Sequence, residues 1–401
     1  MAQEPGDPTR WRRQLGALWL AQLISAIAFS FALPFLPLYI QTLGVTDAGA
    51  AALWAGASSA AFSVVMAALG PYWGSLADRY GPRVMVGRAM FGGAFVIGAM
   101  GLVRSVYGLF GLRVLQGAVT GVQAAITVLV ASIVPRQRLG SSVGLLQVAT
   151  FGGASVGPLL GGMVADRFGF RPAFLVTGAL MLLSGVVVFA GVPRTGRPRR
   201  GPARVGLASG LRWATTSAPV LTMLCVLMAL SFSTTVVSPV LPLYVKELSG
   251  DSARAATITG LVLGLGGLFG SLSAMGAGRA ADTVGHKPVL LLAAAGSALL
   301  TFPQALVTNV EQLTLLRVGL GLFHGALIPS TQAVIGLATP PERRGVVFGI
   351  AASAASLGSA AGPLVGAAVA ATLGIRAVFV VTSLVLLLAC AGLLRGLPDE
   401  T

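Results

Sequence analysis

Apolar stretches long enough to cross a lipid bilayer follow one another along almost the whole chain of 401 residues. A helix needs roughly 20 apolar residues to cross the hydrocarbon core. Charges and turn residues divide the sequence into twelve such stretches, which we call spans 1 to 12. Their predicted bounds are 15–40, 50–72, 84–103, 107–133, 141–165, 172–192, 217–245, 256–278, 289–307, 312–336, 345–370 and 377–394. The sequence therefore predicts an all-α integral membrane protein.

The composition agrees with a bilayer environment. Hydrophobic residues make up 55% of the chain and charged residues 10%, whereas soluble domains carry about 25% charged residues. Too few polar groups remain to cover a globular surface, which excludes a water-soluble protein. Cys225 and Cys390 both fall within apolar stretches and are typical of small buried hydrophobes, not of a disulfide framework.

The positive charges predict the orientation of the chain. The net charge is +15, and most of the 27 lysines and arginines fall on one side of the membrane when the N-terminus is placed in the cytoplasm. This bias predicts a multi-pass protein of the inner (cytoplasmic) membrane with both termini in the cytoplasm. Because the charges form short clusters between spans, nucleic acid is not a predicted partner. A monomer in the lipid bilayer is expected.

The chain repeats itself at an offset of 204 to 205 residues, and five short patterns recur in the same order. Residues 34–39 recur at 239–244, 74–83 at 278–287, 109–113 at 313–317, 157–161 at 362–366, and 171–174 at 376–379. Two six-helix halves in the same orientation are the plan of transporters with parallel repeats and a site near the midplane. The predicted halves are 1–192 and 214–401, joined by a flexible, arginine-rich cytoplasmic linker at 193–213.

The segment between spans 2 and 3 reads Gly-Ser-Leu-Ala-Asp-Arg-Tyr-Gly-Pro-Arg over residues 74–83, and span 1 carries Pro34-x-x-Pro37. With these motifs the chain resembles the major facilitator superfamily, and more closely its twelve-span drug/proton antiporters, over essentially its whole length. The resemblance implies the major facilitator fold and secondary active transport. The residues expected to form a conformational latch are Gly74, Asp78, Arg79, Gly81 and Arg83.

Two interpretations of the latch segment remain open. A carboxylate at Asp78 can meet the positive N-terminal end of a neighbouring helix, and span 11 is expected to begin near Gly345. In the other interpretation, Arg79 and Arg83 only satisfy the positive-inside rule.

Span 5 carries a run of small residues at Gly153, Gly157, Pro158, Gly161 and Gly162. The run resembles the antiporter signature, which in that family distinguishes exporters from importers. Small residues at every fourth position let helix backbones approach closely, and span 8 offers glycines with matching spacing. The alternative is that the run serves packing alone.

Polar residues on four spans are the candidates for a substrate cavity. In span 4 they are spaced three and four apart and so share one helical face, and the resemblance implies that spans 1, 4, 7 and 10 line the cavity. The candidates are Gln22, Ser25, Phe29, Arg113, Gln116, Thr120, Gln123, Thr127, Ser231, Thr235, Ser238, Arg317, His324 and Thr331. The alternative for each polar residue is a hydrogen bond between helices, and for Arg113 an interfacial position.

Proton coupling is harder to place, because all twelve acidic residues fall in loops, tails or span ends. Relatives are expected to carry a carboxylate within the membrane. His324 has a reference pKa of about 6.5 and can exchange a proton near neutral pH; Asp78 and Asp166 are the other candidates. The alternative for His324 is a neutral imidazole held by another helix or by substrate.

The sequence predicts a secondary transporter that exports lipophilic or amphipathic small molecules, with protons as the coupling ion. A lipid or lysolipid flippase and an importer of small solutes on the same fold are the alternatives. No catalytic motif, metal-spaced cluster or nucleotide-binding loop occurs in the sequence, so neither an enzyme nor a cofactor is predicted.

Overall fold

A computed structural model describes residues 10–121, 126, 129–130, 133–135, 138–192, 207–250, 253–340 and 343–396. These residues form helices joined by short connections, and no strand occurs among them. Eleven of the helices are long and apolar enough to cross a membrane, and Val106–Val119 in span 4 is a shorter apolar helix. The described part of the chain therefore agrees with a twelve-helix membrane protein.

The first half runs from span 1 to span 6. Its helices are Arg10–Phe31, Leu36–Thr42, Ala48–Tyr80, Pro82–Met100, Val106–Val119, Leu139–Phe168 and Phe170–Gly191. The second half repeats this order as Ala218–Val236, Leu241–Leu248, Ala255–Val284, His286–Thr301, Val310–Ala338, Arg344–Leu373 and Ile375–Gly396.

Spans 1 and 7 are broken at equivalent places. Span 1 is interrupted by a 3-10 turn over Leu33–Phe35, and span 7 by the turn residues that precede the helix Leu241–Leu248. Proline lacks a backbone N–H and clashes with the preceding turn of a helix, and the motif prolines lie at both breaks. The predicted helix over 217–245 is therefore two helices set end to end.

Span 4 departs from its prediction more strongly. Its first helix ends at Val119, where Thr120 has an extended conformation (φ −84°, ψ −175°). Gly121 follows with φ +129°, a conformation that favours glycine. The prediction of one continuous helix over 107–133 is thus wrong at this point. Gln123 and Thr127 lie outside the described residues.

The predicted linker contains a helix. Leu207–Thr216 begins within residues 193–213, and the rest of that segment lies outside the described residues. The helix is held by its apolar side, since Ala214 is buried and the Trp213 ring lies 5.5 Å from the Arg343 guanidinium.

The sequence repeat is also a structural repeat. The Tyr39 hydroxyl donates to the Met100 carbonyl at 2.8 Å, and its counterpart Tyr244 donates to the Gln304 carbonyl at 2.9 Å. Each bond joins the end of the first span of a half to the end of its third. Equivalent residues of the two halves therefore make equivalent contacts.

The halves meet along two seams built from close backbone contacts. In one seam spans 5 and 8 pack so tightly that a Cβ on Gly162 would overlap the Ala256 backbone, and one on Gly260 the Pro158 carbonyl. In the other, span 2 packs on span 11, and a Cβ on Gly56 would overlap the Pro363 carbonyl. Glycine is needed at these positions because any side chain would push the halves apart.

Candidate functional site

A cavity of about 1040 Å³ lies between the two halves, bounded by span 5 on one side and spans 7, 8, 10 and 11 on the other. It begins near Ser233 and Arg317, the latter about two turns into span 10, and continues to Phe348, about one turn into span 11. A volume of this size accommodates a drug-sized molecule.

The walls of this cavity are mainly apolar. Span 5 contributes Val148 and Phe151, and the second half contributes residues such as Leu263, Leu320 and Ile328. Among the described residues that line it, none is acidic. An amphipathic or lipophilic molecule fits such a wall better than a sugar, which needs many polar partners.

Arg317 and His324 are the two predicted cavity residues that line this space, seven residues apart on span 10. The Arg317 Nε and Nη2 atoms and both His324 ring nitrogens are buried without a hydrogen-bond partner among the described residues. Buried polar groups are normally satisfied, so these two side chains are the exceptional polar feature of the cavity.

Arg113 is the counterpart of Arg317 in the first half, and it is placed differently. Its guanidinium donates to the Gln116 side-chain oxygen and lies 4.8 Å from the centre of the Phe62 ring, and the side chain is only 5% exposed. Arg113 is therefore packed inside its own half.

The neighbours explain the difference between the two arginines. At the offset of 204 residues, Gly266 stands where the first half has Phe62, and Leu320 stands where it has Gln116. The backbone contacts are equivalent, because a Cβ on Gly117 would overlap the Phe62 carbonyl and one on Gly321 the Gly266 carbonyl. The second half thus lacks both the ring and the amide that surround Arg113, and Gly266 lines the cavity instead.

Several predicted cavity residues of span 1 take part in contacts between helices. The Gln22 amide donates to the Thr150 hydroxyl at 2.9 Å, and the Ser25 and Ser184 hydroxyls lie 2.8 Å apart. Phe29 packs as a half-buried ring against the core. These contacts join span 1 to spans 5 and 6.

The hydroxyls of three other candidates are satisfied within their own helices. Thr120, Thr235 and Thr331 each donate to the carbonyl four residues earlier, a common arrangement for threonine in membrane helices. Ser231 is buried and Ser238 is exposed. The cavity is lined instead by their neighbours Ser233, Thr234 and Gln332, which the spacing of the polar residues did not single out.

One end of the bundle is closed by polar contacts between the halves; we call it the Gln41 end. The Lys246 ammonium donates to the Gln41 side-chain oxygen at 3.2 Å. Asp166, near the end of span 5, accepts hydrogen bonds from the backbone N–H groups of Ala256 (3.2 Å) and Thr257 (2.6 Å). The carboxylate thereby caps the N-terminus of span 8 across the seam.

The small-residue run of span 5 packs on both halves. Gly153, Gly157 and Gly161 lie against the backbone of span 1, while Gly162 lies against span 8. Pro158 is buried, and its carbonyl contacts Gly260. The run therefore holds span 5 between its own half and the opposite one.

The latch segment lies at the opposite end of the bundle. Gly81 separates spans 2 and 3 with φ +88°. The Arg83 guanidinium donates to the Phe189 carbonyl at 2.7 Å, and Arg79 is exposed. The Asp78 side chain and the surroundings of Gly74 lie outside what the structure describes.

Comparison with known proteins agrees with this architecture. A family model described as the Major Facilitator Superfamily matches residues 18–302 and 223–401. The proteins named multidrug resistance protein MdtG from Salmonella dublin and Salmonella typhimurium are each 34% identical over 384 residues, covering 96% of this chain and 95% of theirs.

A solved structure has the same fold at low sequence identity. It is a bacterial homologue of the human lysosomal transporter Spinster in an inward-facing, unoccupied conformation, with a TM-score of 0.79, 14% identity and 99% of each chain covered. The repeated halves, the cavity between them and these matches lead to one conclusion: the chain belongs to the major facilitator superfamily of membrane transporters.

Proposed function

We propose that this protein exports lipophilic or amphipathic small molecules by proton antiport with alternating access. The observation that carries the proposal is the largely apolar cavity between two halves that are joined at the Gln41 end. The similarity to proteins named multidrug resistance proteins supports efflux as the direction.

The positive-inside rule supports placing the Gln41 end on the outer side of the cell membrane and both termini in the cytoplasm. In that orientation the cavity extends toward the cytoplasmic side, where an exporter takes up its substrate. The cavity and both seams are formed within one chain, which supports a monomer as the transporting unit.

His324 is our first candidate for the proton site. It faces the cavity with both ring nitrogens unpartnered among the described residues, and imidazole exchanges protons in the physiological range. Asp166, bonded across the seam, and Asp78, in the latch segment, are the further candidates.

The test is transport of lipophilic cationic, neutral and anionic dyes in inside-out vesicles under an imposed pH or sodium gradient. We expect wild-type transport to follow the pH gradient, and His324→Gln to bind dye but lose this response. His286→Gln is the matched control, because His286 begins span 9 and does not line the cavity.

The outcomes separate the competing functions. Dye transport driven by a sodium gradient would show that sodium, and not the proton, is the coupling ion. Wild-type pH dependence of transport in His324→Gln would move the proton site to Asp78 or Asp166. Transport that requires lysolipid would favour a flippase, and net uptake of small polar solutes would favour an importer. The absence of any gradient-driven movement of dye would refute the proposed function.

A further inference from the structure

The guanidinium of Arg317 is a cation that the proposed transport cycle leaves unexplained. It lies about two turns into span 10 and lines the cavity, and its Nε and Nη2 atoms are buried without a hydrogen-bond partner among the described residues. Ionisable residues within membrane spans are costly and are retained where they pair with another group or meet a substrate.

Among the described residues, no acidic side chain lines the cavity beside Arg317. All twelve acidic residues fall in loops, tails or span ends, and the described lining of the cavity contains none of them. The Phe379 ring centre lies 5.9 Å from the guanidinium carbon, close to the limit of about 6 Å for a cation–π contact. The charge therefore remains available to a group from outside the protein.

The first half shows how this fold buries the corresponding arginine within one half. There the Phe62 ring covers Arg113 and the Gln116 side chain accepts its hydrogen bond. At the positions that correspond to these two residues, the second half has Gly266 and Leu320. Gly266 leaves the space of the missing ring to the cavity, and Leu320 offers Arg317 no hydrogen-bond acceptor.

We propose that Arg317 binds the anionic headgroup of the substrate, so that the cavity selects amphipathic organic anions with a carboxylate, sulfonate or phosphate group. The proposal rests on the proposed function and narrows its substrate class. A planar guanidinium forms paired hydrogen bonds with such oxyanions.

The rest of the cavity suits the apolar part of such a molecule. Span 10 lines it from Arg317 to Ala333, a length of about 24 Å along the helix axis. Leu320 and Ile328 line the cavity along this length of span 10. Phe348, near the start of span 11, lines the cavity at the end away from Arg317. An elongated apolar body attached to the headgroup would cover these side chains.

The test compares three probes that share one apolar body and differ in charge: pyrenebutanoate, pyrenebutanol and pyrenebutyltrimethylammonium. Binding of each is measured by fluorescence to the purified full-length protein in an uncharged detergent. We expect wild type to bind the anion about tenfold or more tightly than the alcohol, and the cation most weakly.

Variants then assign the preference to one side chain. Arg317→Gln should bind the anion no better than the alcohol, whereas Arg317→Lys should keep part of the preference. Arg104→Gln removes the same charge from an exposed connection between spans 3 and 4 and should bind like wild type. Binding of pyrenebutanol reports whether each variant is folded.

A wild-type protein that binds the anion and the alcohol equally would overturn the proposal, as would a full anion preference in Arg317→Gln. If Arg317→Gln does not fold, the wild-type ranking and Arg317→Lys decide. Competition by octanesulfonate or by an anionic lysolipid tells whether the anion is a free organic acid or a lipid headgroup.

The proposed function is judged separately from the vesicle assay. Export of neutral dye without anion preference would retain the exporter and reject the anion site. Anion preference without gradient-driven transport would retain the anion site and reject the exporter.

Discussion

Asp166 offers a direct way to weaken the closed end of the bundle. Its two carboxylate oxygens accept the Ala256 and Thr257 N–H groups at 3.2 and 2.6 Å. These bonds join the two halves, so they exist only while the Gln41 end is closed. The substitution Asp166→Ala removes both bonds and leaves the N-terminus of span 8 without this cap.

The size of the effect follows from the geometry. Loss of an N-terminal cap costs about 0.5–2 kcal/mol, and about 1.4 kcal/mol corresponds to a tenfold change in an equilibrium constant. Since the open state loses nothing, Asp166→Ala should shift the equilibrium toward opening at the Gln41 end by about 2- to 30-fold.

The shift is measured as a distance distribution between spin labels at Thr42 and Glu247, which are exposed at the ends of spans 1 and 7. Asp47→Ala is the matched control: Asp47 accepts the Ala50 N–H at 2.7 Å, within its own half. Identical distributions in Asp166→Ala and wild type, or an equal shift in Asp47→Ala, would refute the reasoning.

Three further predictions concern packing, topology and the latch. Gly161→Ala should destabilise the protein by about 1–3 kcal/mol through overpacking against span 1, whereas Gly111→Ala, in open space, should not lower the unfolding temperature. On a cysteine-free background, Arg254→Cys should react with an impermeant reagent in intact cells and Arg395→Cys should not; the opposite labelling would invert the orientation. Asp78→Asn should bind substrate but turn over slowly, with altered cross-linking between the latch segment and the start of span 11; normal turnover and cross-linking would exclude a latch role.

The fold was largely predictable because its signals are local or repeated. Spans follow from apolar length, and the halves follow from the recurring motifs, which the structure places in equivalent contacts at Tyr39 and Tyr244. The break in span 4 was not predictable in this way. Gly121 follows the end of a helix, while its counterpart Gly325 lies inside one and packs against span 8.

The cavity was only partly predictable, for a different reason. A helical stripe of polar residues shows which side avoids lipid but not whether that side meets a cavity or another helix. The hydroxyl of a threonine such as Thr331 donates its hydrogen bond to a backbone carbonyl of its own helix, so it needs no partner in a cavity or on another helix. Whether an arginine is covered depends on a residue of the neighbouring span, Phe62 or Gly266, which the pattern on spans 4 and 10 does not contain.

The glycine seams between the halves have a consequence for how the molecule moves. Helices that interlock through large side chains resist sliding, because each step requires ridges to leave their grooves and rotamers to change. Where Gly162 and Gly260 meet the facing backbone, few side chains need to be repacked. We therefore expect the halves to shift along these seams with little repacking of side chains, so that the polar contacts at the Gln41 end are the main interactions that opening there must break.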